Sequence, residues 1–93
     1  MDMITKDKIE KILRQTFVPE YIFVADDSFR HAGHQEAILS GGKHFSVTIV
    51  SGKFEGIGRV KRHQMVYDIL KEEMRQEIHA LALKTLTPAE YKK

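Results

Sequence analysis

HFSVTIVSGKFEGIGRVKRHQMVYDILKEEMRQEIHALAL, residues 44–83, changes its hydrophobic period more than once, and those changes decide the fold. From His44 to Ser51 the chain alternates: Phe45, Val47 and Ile49 share one face while His44, Ser46 and Thr48 share the other, the pattern of a half-exposed strand. Gly52 and the stretch KFEGIGR, with Gly56 and Gly58, then read as a turn. A helix follows from about Val60 to Gln76, with Val66, Ile69, Leu70 and Met74 at core spacing. IHALAL, Ile78 to Leu83, alternates again and reads as a further strand.

Upstream, a first helix is well signalled. Thr5 caps it, Asp7 suits the positive end of its dipole, and Ile4 and Ile9 stand at staple positions. Ile9, Ile12, Leu13 and Phe17 form its apolar stripe, and Pro19 ends it. YIFVA, Tyr21 to Ala25, is β-branched and aromatic, a strand buried either on both faces or on one face plus a partner. Asp26, Asp27 and Ser28 open a loop of roughly 17 residues containing Gly33, Gly41 and Gly42, far longer than a hairpin connection. Loops of that length are usually functional or mobile, and Ile38 and Leu39 could pack locally. Thr87, Pro88 and Glu90 spell a capping box with proline in the first helical turn.

The order is therefore α, β, β, α, β and a short C-terminal α. It folds most simply as an α+β layer pair, a three-stranded mixed sheet with both long helices on one face. The 93 residues, 1–93, make one domain.

Fifteen Lys and Arg against thirteen Asp and Glu give a formal charge of +2, too mild to imply nucleic-acid binding by itself. There is no cysteine, hence no disulfide framework, and no apolar run approaches the ~18 residues of a membrane span. The polar start MDMITKDKIEK does not resemble a signal peptide. The expectation is a cytoplasmic protein that does not engage membranes. Nucleophile-elbow, phosphate-loop and zinc-protease motifs are missing, and adjacent Asp26 and Asp27 read as a turn rather than an acid/base pair, so no enzyme is expected.

Arg59, Lys61, Arg62 and His63 crowd the start of the second long helix, where the dipole opposes positive charge. They read either as a patch for phosphate or an acidic partner, or as a solvated face offset by Glu55, Asp68, Glu72 and Glu73. Gly56 and Gly58 are spaced G-x-G, so the G-x-x-G clamp of a nucleic-acid-binding KH module is not present there. The remaining imidazoles lie at His31, His34, His44 and His79. His31 and His34 form H-x-x-H in the long loop, a weak metal signal alone because a zinc site wants four ligands. His79 has the strand parity of Leu81 and Leu83, which predicts a partly buried, structurally bonded ring unless it serves a site. His44 flanks its strand on the polar side and could reach the same space as the loop.

FEGIGRVKRHQMVYDILKEEM, IHALAL and TPAEY, with SFRHAGH and HFSVTIVS before them, resemble the BolA family over nearly the whole chain. The spaced set Phe54, Glu55, Gly56, Arg62, His63, Val66, Tyr67, Ile78, His79, Ala80, Thr87, Pro88 and Glu90 carries the resemblance. It implies a class II KH-like fold and a role beside a monothiol glutaredoxin in iron–sulfur cluster maturation, delivery to apo-proteins or iron signalling. In the family's heterodimer a [2Fe–2S] cluster is bridged: the glutaredoxin cysteine and glutathione ligate one iron, and the BolA-like subunit ligates the other. No cofactor is expected in the isolated chain. By matching motifs, His79 of IHAL corresponds to the C-terminal ligand and His31 to the loop ligand, with His34 next and His44 a further competitor. Imidazoles in place of thiolates would raise the cluster's potential. The alternative the family suggests is a DNA-binding transcriptional regulator using Arg59, Lys61, Arg62 and His63.

Overall fold

A computed structural model describes residues 6–27, 43–76 and 78–92. Helix α1 is Lys6–Phe17, and it buries Ile9, Leu13 and Phe17 with Ile12 packed beside them, the stripe the sequence predicts. Val18 follows with φ of 44°, a left-handed conformation unusual for a β-branched residue, while its N–H still bonds the Arg14 carbonyl at 3.1 Å. Pro19 then prevents continuation. Ile4, Thr5, the segment 28–42 and with it His31 and His34 lie outside the described residues.

Strand β1 is Tyr21–Asp26, β2 is Lys43–Val50 and β3 is Ile78–Leu86, three residues longer than IHALAL suggests. The order is β1-β2-β3, with β1 antiparallel to β2 from Tyr21↔Val50 to Asp26↔Phe45, and β3 parallel to β2. Of the two readings left open for β1, single-faced burial is the one observed: Ile22 and Val24 are buried, whereas Phe23 is 55% exposed.

One face of the sheet, bearing Ile22, Val24, Phe45, Val47, Ile49, Ile78 and Leu81, packs with α1 and helix α2, Arg59–Ile69. Burying each such side chain contributes about 1.5–3 kcal/mol, so this single layer dominates stability. Phe54, in a 3-10 turn at Gly52–Phe54, completes the core with its ring 5.1 Å from that of Phe17. The Ser51 hydroxyl secures the turn by donating to the Phe17 carbonyl at 2.7 Å and accepting from the Lys53 N–H at 3.1 Å.

The single long helix expected from Val60 to Gln76 is two helices, α2 and α3, Lys71–Gln76, separated at Leu70. Leu70 leaves helical geometry at φ −98° and ψ 16°. Val66 and Leu70 are buried and Met74 packs against the core, but Ile69, expected inside, is 39% exposed. Helix α4, Pro88–Tyr91, opens with the expected capping box: Thr87 accepts from the Glu90 N–H, and Glu90 accepts from the Thr87 N–H. Tyr91 stacks on Tyr21 at 5.4 Å.

The β2–β3 ladder contains an irregularity that matters later. Lys43 pairs with Ile78 but His44 pairs with Ala80, so His79 is an extra residue on β3. Ile78 and Leu81, three apart, both face the core, and His79 is turned out to the exposed side. The expectation that His79 shares the face of Leu81 and Leu83 is thus corrected, because a bulge breaks the two-residue period on which it rested.

Candidate metal centre and basic helix end

The bulge brings His79 against His44 across the strand pair. Their ring centroids are 5.1 Å apart and their planes inclined by 42°. Two imidazoles on one tetrahedral ion, with metal–nitrogen bonds of about 2 Å, would place their centroids roughly 5 Å apart, so the spacing fits a shared ion. His44 is half-buried with its Nε2 enclosed, whereas His79 is exposed. The chain has no thiolate, and among the described residues no group of three or more His, Asp or Glu side chains is placed to hold an ion. Two neutral nitrogens alone are half of a tetrahedral set, and the donor set fits a group whose other ligands come from a second molecule.

The surroundings of this pair are polar. The Asp27 N–H donates to the His44 carbonyl at 2.7 Å, and the Ser46 hydroxyl, on the same face as His44, donates to the Asp27 carboxylate. The expectation that Asp26 and Asp27 open a loop is corrected here: Asp26 is the last residue of β1, paired with Phe45, and the Asp27 N–H carries the ladder one step further to His44. Of the ligands considered in sequence, the structure joins His79 to His44, while His31 and His34 fall outside the described residues. Strand alternation puts His44 on the polar face, but its proximity to position 79 depends on parallel pairing of strands that start 35 residues apart.

At the other end of β3 the basic segment divides. Arg59 and Lys61 are exposed and His63 is half-buried. Arg62 is only 8% exposed, and its guanidinium is occupied: Nε donates to the Ile57 carbonyl at 2.6 Å, and the terminal nitrogens to the Thr85 carbonyl at 3.1 Å and to both Glu90 oxygens at 2.7 and 3.3 Å. Four of its five N–H donors are thus engaged inside the protein, which sets Arg62 apart from the exposed Arg59 and Lys61 as a phosphate contact. The same guanidinium, followed by the Thr87 N–H, holds the Glu90 carboxyl down to about 2 from its usual 4.5.

The chain matches the BolA-like protein family over residues 13–90. It is 39% identical to the Escherichia coli protein named DNA-binding transcriptional regulator BolA, over 96% of this chain and 81% of that one. It is 40% identical to SufE-like protein 1, chloroplastic/mitochondrial, of Arabidopsis thaliana, where the match takes in 91% of this chain but only 23% of the relative's length. Among solved structures, the BolA domain of SufE1 from Arabidopsis thaliana superposes with a TM-score of 0.80 at 39% identity, covering 91% of this chain and 93% of the other. A BolA-like protein from Babesia bovis gives the same score at 35% identity, covering 98% and 93%.

Proposed function

The chain belongs to the BolA family, and from that membership we propose that it partners a monothiol glutaredoxin and co-ligates a [2Fe–2S] cluster bridging the two proteins. The observation that supports this reading is the exposed His79 ring held 5.1 Å from His44. His79 supplies one ligand; His44, His31 or His34 supplies the other. The bound cluster provides the iron–sulfur chemistry, and this chain's part is to present imidazole, orient it through the β3 bulge and leave the remaining coordination open to the glutaredoxin cysteine and glutathione. The role is non-catalytic: cluster maturation, delivery to apo-proteins, or iron signalling. The compartment is the cytoplasm, with organelles the alternative raised by the names of the plant relatives.

The test is to mix the protein with a cluster-loaded monothiol glutaredoxin and glutathione under anaerobic conditions and follow visible absorption and circular dichroism. The spectrum should change on mixing and the change should vanish with His79→Ala. Separate alanine variants of His44, His31 and His34 then identify the second ligand as the one whose loss alters the spectrum. An unchanged spectrum for His79→Ala would refute the assignment.

A second reading, as a DNA-binding regulator, draws on the name of the bacterial relative and on the exposed Arg59 and Lys61 at the start of α2. It requires an affinity for duplex DNA that falls steeply with salt and drops when both side chains are neutralised.

A further inference from the structure

We propose that Asp27 is a positioning residue of the site at His79 and His44, placing a fixed negative charge beside the two imidazoles. The inference rests on the cluster reading above and adds to it a side chain that is not itself a ligand. The Asp27 N–H donates to the His44 carbonyl at 2.7 Å, so the β1–β2 ladder, regular as far as Asp26↔Phe45, carries Asp27 directly opposite His44. Residues opposed in this way across antiparallel strands have Cβ atoms about 5 Å apart on one face. That face is the open one, because the Ser46 hydroxyl, which shares it with His44, donates to the Asp27 carboxylate. The three strands thus present a row of one carboxylate and two imidazoles, Asp27, His44 and His79, with the two rings 5.1 Å apart.

Ser46 holds the carboxylate in this row. It pairs with Ala25, two residues before Asp27, so its hydroxyl reaches along the diagonal of the ladder. Asp27 is half-buried, where a charge is screened less than on an open surface. The neighbouring charges lie elsewhere. Asp26 and Lys43 have the strand parity of the buried Phe45. Lys84, opposite Thr48, stands four residues along β2 from His44, about 13 Å away and beyond a Debye length of about 8 Å. Among the described residues, Asp27 is therefore the charge that shares both the face and the row of the two rings.

An anion at this position has a definite chemical consequence. Neutral imidazoles in place of thiolates remove negative charge from the surroundings of a cluster and raise its potential. Asp27 returns part of that charge, favouring the oxidised state and strengthening the hold of the two rings on a divalent cation.

The test uses Asp27→Asn, which keeps an oxygen to accept from Ser46 and removes only the charge. In the isolated protein, zinc chloride titrated against the ring resonances of His44 and His79 should bind about threefold more weakly to Asp27→Asn than to the parent, and Asp27→Glu should recover the affinity. In the complex with cluster-loaded glutaredoxin and glutathione, Asp27→Asn should retain the spectral change on mixing and raise the midpoint potential. Ser46→Ala, which keeps the charge but releases it, should raise the potential by less. An equal zinc affinity in parent and Asp27→Asn, or an equal potential, would overturn the role of Asp27 while the spectral change and its loss in His79→Ala leave the cluster reading standing. A parent spectrum that does not change on mixing would instead refute the cluster reading, and the zinc titration then decides for or against Asp27 at the histidine pair alone.

Discussion

Arg62 and Glu90, 28 residues apart in sequence, form a two-pronged ion pair in which the guanidinium also caps the Ile57 and Thr85 carbonyls and lies 5.8 Å above the Phe54 ring. One side chain thereby ties the turn before α2, the outer edge of β3 and helix α4 together. Removing it leaves two carbonyls without this donor and the Glu90 carboxylate with the Thr87 N–H but no guanidinium. Arg62→Gln should lower unfolding stability by about 2 kcal/mol, read by urea denaturation. A loss below about 0.5 kcal/mol, the range of ordinary surface changes, would show the pair to be incidental.

The same pair predicts an acid response. The Glu90 carboxyl is lower in the folded protein, about 2 against 4.5, so its contribution to stability is present above pH 4.5 and disappears as pH falls toward 2. Glu90→Gln should therefore be less stable than the parent at pH 6, and the two melting curves should converge near pH 2. Curves separated by a constant interval from pH 6 to pH 2 would contradict the assignment.

Tyr67 guards the same strand edge five residues further along α2. The Ser51 N–H bonds the Leu86 carbonyl at 2.9 Å, so residues of even number on β3 face β2 and those of odd number face outward. The outward carbonyl of Leu81 accepts the Tyr67 hydroxyl at 3.1 Å, as that of Thr85 accepts Arg62. Tyr67→Phe should cost about 1 kcal/mol in denaturant unfolding and leave an edge carbonyl open to another chain. Unchanged stability would mean that water replaces the hydroxyl without loss.

His79 and His44 should part company in stability measurements. His79 is exposed, so His79→Ala should shift unfolding by no more than about 0.5 kcal/mol, and any loss of the cluster spectrum then reports ligation rather than misfolding. His44 is half-buried with its Nε2 enclosed, and His44→Ala should cost more, about 1 kcal/mol. Equal costs by calorimetry would argue against this difference in environment.

Much of this was readable in advance. The stripe of Ile9, Leu13 and Phe17, the alternation of Phe45, Val47 and Ile49 and the Thr87 capping box are local patterns, each fixed by neighbours within a few residues. What escaped is non-local. The commitment of Arg62 to Glu90 depends on the chain returning after 28 residues. The interruption at Leu70 is marked by neither glycine nor proline, and it places Ile69 outside while Leu70 remains in the core. His79 was misassigned because period two cannot register an inserted residue, and the insertion is specified by pairing with β2 rather than by β3 itself.

Shortening β3 by a single residue at position 79 would give a smoother ladder. Uninterrupted pleating would leave no imidazole from β3 beside His44, and the sheet would gain regularity at the cost of that ring contact. On the proposed ligation, a variant with a regular ladder there should fold well and leave the spectrum of the glutaredoxin cluster unchanged on mixing.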